Sequence, residues 1–225
     1  MPVGRGGLAG IVKICGLTNP VDAAAAAAAG ADLVGFVFFA GSRRALPAGA
    51  VEWVAALPRT PAKVGVFRDQ PSGFVEEVAS RAGLARVQLH GAEPPEMCAA
   101  LGGRARVIKA VSVSGPLDWG QVRAWAEVAQ ILFDTASPTG GGTGRVFDWG
   151  WLAQRPADLA VWLAGGLTPA NVTAAIAAVR PAGVDVASGV EAAVGRKDLA
   201  SMRAFVAAAR AAWAALGGSP KGGAR

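Results

Sequence analysis

A thiol at the end of a short apolar run is the first candidate for chemistry. Cys15 closes "VKIC" and is followed at once by Gly16 and the turn-forming "LTNP". Inside a strand a cysteine is usually a small apolar filler, but at a strand exit its sulfur can face whatever occupies the mouth of the fold. Asp134, in "FDT", stands in the same situation, where a carboxylate either caps the next turn or supplies a proton. Two more strand exits are rich in glycine: "LAGGLTPANV", with Gly165 and Gly166, and "VASGVE", with Ser188 and Gly189. Glycines bare the backbone N–H groups there, and Thr168 as N-cap with Pro169 at the first helical position would aim a helix N-terminus at an anion. One such loop is weak evidence, but two at successive strand ends point to phosphate. Cys15 and Cys98 form no CxxC pair and His90 is the one histidine, so neither a zinc site nor a disulfide framework is expected.

Elements that could position these residues recur along the chain. Short runs rich in Val, Ile, Leu and Phe at 12–15, 33–38, 63–67, 86–89, 107–111, 131–133, 161–164 and 184–187 read as strands. Segments of helical composition at 21–29, 48–57, 73–81, 95–101, 117–128, 149–154, 169–179 and 198–216 follow them in turn. Strands joined through single helices must run parallel, so eight such units predict one closed (β/α)8 TIM barrel, in the α/β class. An open doubly wound sheet would need a glycine fingerprint after the first strand, and "CGLTN" is not one. The whole chain, 1–225, is expected to be this single domain, with frayed ends at about 1–10 and 217–225. The active site of such a barrel lies at the C-terminal ends of its strands.

Composition narrows the partners. With 52% hydrophobic and 17% charged residues, the chain can bury a sizeable core. The most apolar stretch, 21–40, is broken by Asp22, Gly30, Asp32 and Gly35, so no membrane span is expected. Arg5 followed by "GGLAGIVKICG" makes a poor secretory signal, and a cytoplasmic protein follows. The net charge of +6 fits an anionic small molecule, because Lys and Arg are scattered and not interleaved with aromatics as in nucleic-acid binders. Trp53 and Trp125 serve either barrel-to-helix packing or an interface, and the chain is read as monomer or homodimer.

The ordered series "KICGLTNP", "GADLVGFVF", "SRR", "VGVF", "VQLHGAEP", "VIKAV", "FDT", "GGTG" with "FDW", "GGLTPANV" and "VDVASGVE" resembles phosphoribosylanthranilate isomerase of tryptophan biosynthesis, from about Ile11 to Leu199. The resemblance implies an Amadori rearrangement of N-(5'-phosphoribosyl)anthranilate without metal or cofactor. It makes Cys15 the thiolate base and Asp134 the acid, with "GGTG", including Gly142, as a small-residue loop able to close over substrate. It sets Arg44 of "SRR" against the anthranilate carboxylate, and adds His90 and Asp185 to the substrate contacts, His90 either touching substrate or orienting its loop. Some positions depart from the pattern: there is no tyrosine, Ala45 stands where an aromatic is common, and Ala164 and Ala187 stand where serines often precede the glycines. The alternatives are a histidine-pathway isomerase, which has an aspartate in place of Cys15, indoleglycerol-phosphate synthase, and a non-catalytic anion-binding barrel.

Strand alternation adds one expectation independent of any resemblance. If Cys15 faces the mouth, Lys13 faces inward one layer below. Asp185 in the last strand can do the same, and the first and last strands of a closed barrel are neighbours, so the two charges should pair and Lys13 should favour the thiolate.

Overall fold

The computed structural model describes residues 10–47, 49–135 and 146–217. Eight parallel strands close into a barrel in sequence order: β1 (Ile11–Ile14), β2 (Leu33–Val37), β3 (Ala62–Phe67), β4 (Arg86–Leu89), β5 (Val107–Val113), β6 (Gln130–Thr135), β7 (Val161–Leu163) and β8 (Gly183–Val186). The seam is β1 against β8, with Lys13 opposite Asp185. Period-two alternation sorts the side chains. Val12, Ile14, Val34, Phe36, Val87 and Leu89 point outward into the layer shared with the helices. Leu33, Val64, Ile108, Ala110, Leu132 and Trp162 fill the barrel interior, and Cys15, Val37, Phe39 and Val66 form a small apolar layer above it.

Among the described residues, seven helices surround the strands: α1 (Pro20–Ala28), α2 (Ala50–Ala56), α3 (Ser72–Ala82), α4 (Pro95–Ala100), α5 (Trp119–Val128), α6 (Val172–Val179) and α7 (Leu199–Ala215). Asn19 caps α1 by accepting from the Asp22 N–H at 2.8 Å, and Pro20 occupies the first turn, where its missing N–H costs nothing. Asp118 and Asp198 cap α5 and α7 in the same way. Trp53 meets Phe36 edge-on at 5.6 Å, and Trp125 donates to the Glu93 carbonyl, so both tryptophans pack against the barrel.

Three local expectations need correction or addition. The helix expected at 149–154 is a 3-10 turn, Trp149–Leu152, started by Asp148 and stopped by Pro156, too short for an α-helix. The helix expected from Pro169 starts at Val172, and Thr168 is not its cap. Asn171 instead accepts from the Thr168 N–H and donates to the Gly166 carbonyl, holding 166–171 as a turn. A small antiparallel hairpin, β9 (Glu191–Ala193) with β10 (Arg196–Lys197), follows β8 without a counterpart in the sequence reading. Ala48 and nearly all of the expected frayed ends lie outside the described residues.

Candidate active site

The C-terminal ends of the strands surround an open cavity. Cys15 lies one residue beyond β1. Its N–H donates to the Val186 carbonyl at 2.8 Å, and Gly16, at φ 72°, turns the chain away and lets Leu17 bond to the Gly35 carbonyl. Gly35 makes the space that the thiol needs: a methyl there would stand 2.6 Å from Cys15 Sγ and 3.1 Å from Lys13 Cε. Below the thiol, Lys13 Nζ donates to Asp185 Oδ2 at 2.8 Å, with no exposure of the lysine, as strand alternation predicts. Burial opposes the Lys13 ammonium, but Asp185 and then Cys15 outweigh it and hold its pKa above the ordinary value. Burial also pushes the Cys15 thiol up; the Lys13 charge pulls against this without overcoming it.

Asp134 stands at the end of β6, buried, with Oδ2 3.1 Å from His90 Nε2. His90 is held by its own N–H, which donates to the Phe67 carbonyl, and by Gln88, whose Nε2 lies 3.0 Å from His90 Nδ1. Gly165, at φ 83°, passes so close to Thr135 and Asp134 that any side chain would collide with them. Among the described residues the N–H groups of Gly165, Gly166 and Leu167 have no acceptor, and Ser188 lines the same side of the cavity. Gly189 does not line the cavity. It lets the loop after β8 touch the loop after β7, since a Cβ would run into the Leu167 carbonyl.

Arg44 borders the cavity over Gly16 and beside the loop after β8, and Val37, Phe39 and Val66 line the same cavity. Its fork is engaged: Nε and Nη2 donate to the two oxygens of Glu191 at 2.7 and 2.6 Å. Lys197 Nζ also donates to Glu191 at 2.9 Å and to the Ala187 carbonyl. Burial disfavours the Glu191 carboxylate, yet the Arg44 hydrogen bond and the Lys197 charge hold it below its ordinary range. Asp185 Oδ1 is a buried acceptor without a partner among the described residues, and the residue lines the cavity.

The structure therefore gathers Cys15, Arg44, His90, Asp134, Gly165, Gly166, Asp185 and Ser188 at one mouth. Gly142 lies outside the described residues. Gln88, Glu191, Lys197 and Gly35 escaped the sequence reading. Gln88 carries a usable signal, a lone amide two residues before His90 and so on the same face of β4. Glu191 meets Arg44 across 147 residues, a separation that no local pattern reveals.

A family model described as N-(5'phosphoribosyl)anthranilate (PRA) isomerase matches residues 12–208. The chain belongs to this family. Its relative in Geobacter metallireducens, an N-(5'-phosphoribosyl)anthranilate isomerase, is 46% identical over 202 residues, covering 89% of this chain and 98% of the relative. The crystal structure of phosphoribosyl anthranilate isomerase from Thermotoga maritima superposes with a TM-score of 0.82 at 42% identity, covering 89% of this chain and 98% of that one. A further solved isomerase, 40% identical with a TM-score of 0.79 over 89% of this chain and 98% of its own, is in complex with reduced 1-(o-carboxyphenylamino)-1-deoxyribulose 5-phosphate. The chain is an aldose–ketose isomerase of tryptophan biosynthesis. Among the described residues no helix is long and apolar enough to cross a membrane.

Proposed function

We propose that the isomerisation is an acid–base Amadori rearrangement in which Cys15 is the base and Asp134 the acid. The observation that carries this reading is that the thiol and the carboxyl line one mouth together with Arg44, an apolar layer and a glycine loop whose N–H groups have no acceptor among the described residues. Such a lining suits the groups of a phosphoribosylated anthranilate. The phosphate would accept from the N–H groups of Gly165 and Gly166 and from Ser188, and the aromatic ring would lie on Val37, Phe39 and Val66 with its carboxylate toward Arg44. Between them, Asp134 gives a proton to the furanose ring oxygen as its bond to the anomeric carbon breaks, leaving a Schiff base. The Cys15 thiolate then takes the proton from the neighbouring carbon, and the resulting enolamine ketonises. Asp185 Oδ1, the acceptor left free by Lys13, suits a sugar hydroxyl. The chain itself supplies both proton-transfer groups, so the reading needs no metal or cofactor, and we place the enzyme in the cytoplasm as one domain acting on a small molecule.

Loss of the fluorescence of phosphoribosylanthranilate measures turnover directly. Cys15→Ser and Asp134→Asn should each lower kcat on the order of 10²–10⁴-fold with modest change in KM. Near-parental turnover in either variant removes that residue from the mechanism.

A further inference from the structure

Gln88 is 1% exposed and projects into the cavity from β4, where the packing of a barrel interior would ordinarily select an apolar side chain. Its Nε2 sits 3.0 Å from His90 Nδ1, and His90 Nε2 sits 3.1 Å from Asp134 Oδ2. An amide nitrogen only donates, so this orientation of the Gln88 amide makes Nδ1 an acceptor and assigns the imidazole proton to Nε2. Asp134 Oδ2 then receives a hydrogen bond and cannot itself donate along that line. The proton that Asp134 transfers is therefore carried by Oδ1, the oxygen that lies toward Gly165 and the phosphate-side loop.

We propose that Gln88 is a positioning residue: through the tautomer of His90 it fixes which oxygen of Asp134 bears the acid proton. The inference rests on the reading of Asp134 as the acid. It gives His90 a definite task, to hold Oδ2 as an acceptor, in place of an unassigned contact with substrate. The other titratable and charged groups that share the mouth, Cys15, Arg44 and Asp185, project from the end of β1, the loop after β2 and β8, while the Lys109–Glu93 pair lies beside the backbone of the His90 loop. Among the described residues, Gln88 is the one side chain hydrogen-bonded to His90 Nδ1.

His90 is the only histidine, so a two-bond 1H–15N spectrum of the full chain reports its tautomer without assignment. At a pH where the imidazole is neutral, the parent should show the proton on Nε2. Gln88→Met removes one hydrogen bond and should lower kcat about three- to tenfold with KM near parental. Gln88→Glu places an acceptor beside Nδ1, should move the imidazole proton to Nδ1, and should lower kcat on the order of 10²-fold. A packing role would instead let the near-isosteric Gln88→Glu alter melting temperature alone. A parent spectrum with the proton on Nδ1, or both variants with parental kcat, overturns the inference. A rise in KM at constant kcat also overturns it, because the free Gln88 Oε1 would then be a substrate contact. Asp134→Asn separates the two claims: if it is inactive while the Gln88 variants are silent, only the positioning role falls.

Discussion

Replacing Lys13 by methionine separates the two effects that the buried ammonium exerts. Lys13 and Asp185 are 0% and 7% exposed and 2.8 Å apart, so the substitution fills most of the volume but leaves Asp185 as a buried carboxylate without its cation. Breaking a buried pair from one side costs about 3–5 kcal/mol. At about 2–4 °C per kcal/mol for a chain of this size, the melting temperature should fall by roughly 6–20 °C. The sign of the pH dependence follows from the raised Lys13 pKa: its contribution is complete below the ordinary 10.5 and is lost only as pH rises through the higher folded value, so a scan at neutral pH reads all of it. The second effect concerns Cys15. Burial has already pushed the thiol above its ordinary 9.0, so kcat/KM of the parent should rise with pH on the alkaline side. Without Lys13 the ascending limb should move further up. Lys13→Met with Asp185→Asn restores a neutral pair and should recover much of the melting temperature. Its limb should lie between those of the parent and Lys13→Met, because Lys13 lowers the thiol pKa more than Asp185 raises it. Differential scanning calorimetry and kcat/KM against pH measure the two effects. A single variant that melts like the parent refutes the buried pairing, and a superimposable pH profile refutes the thiolate assistance.

Two more outcomes follow from the geometry of the mouth. Arg44→Ala should raise KM far more than it lowers kcat, since a contact remote from the reacting carbons acts in ground and transition states alike; steady-state kinetics with an unchanged KM would place the carboxylate elsewhere. Gly35→Ala inserts a methyl 2.6 Å from Cys15 Sγ, and the displaced sulfur should cost kcat on the order of 10²-fold, whereas parental turnover would show that the thiol has room to move.

The barrel was legible because its signal is repeated and local. Each strand is a short apolar run, each connection is a helix, and parallel pairing follows from the connection alone. Where the reading failed, a local feature, either a side-chain hydrogen bond or a proline, had overridden composition. Asn171 ties Thr168 and Gly166 into a turn where Thr168 and Pro169 together imitate a helix start. At Trp149–Leu152, Pro156 cuts off what the aromatic residues suggest is a helix. The site divides in the same manner. Cys15, Asp134, Gly165 and Gly166 were readable because each lies at a strand exit, and Lys13 with Asp185 because alternation and barrel closure fix a neighbour 172 residues away. Glu191 was not, because its partner Arg44 is reached only through the hairpin that follows β8.

That hairpin also changes what the net charge means. A value of +6 suggests a mouth that attracts anions by excess charge, but the buried cations nearest the thiol are already matched. Lys13 holds Asp185, while Arg44 and Lys197 share Glu191. Left unmatched, three ammonium or guanidinium groups so close to Cys15 would favour the thiolate but repel one another, and each would carry the full desolvation cost of a buried ion. With the carboxylates present, burial dominates the thiol, as its raised pKa records. The glycine-loop end of the cavity, by contrast, presents neutral donors: the N–H groups of Gly165, Gly166 and Leu167 have no acceptor among the described residues. On the proposed reading, anion binding there would rest on fixed backbone dipoles, which need no counter-ion. On the proposed reading, the fold keeps its formal charges paired around Cys15 and leaves recognition of the phosphate to the backbone.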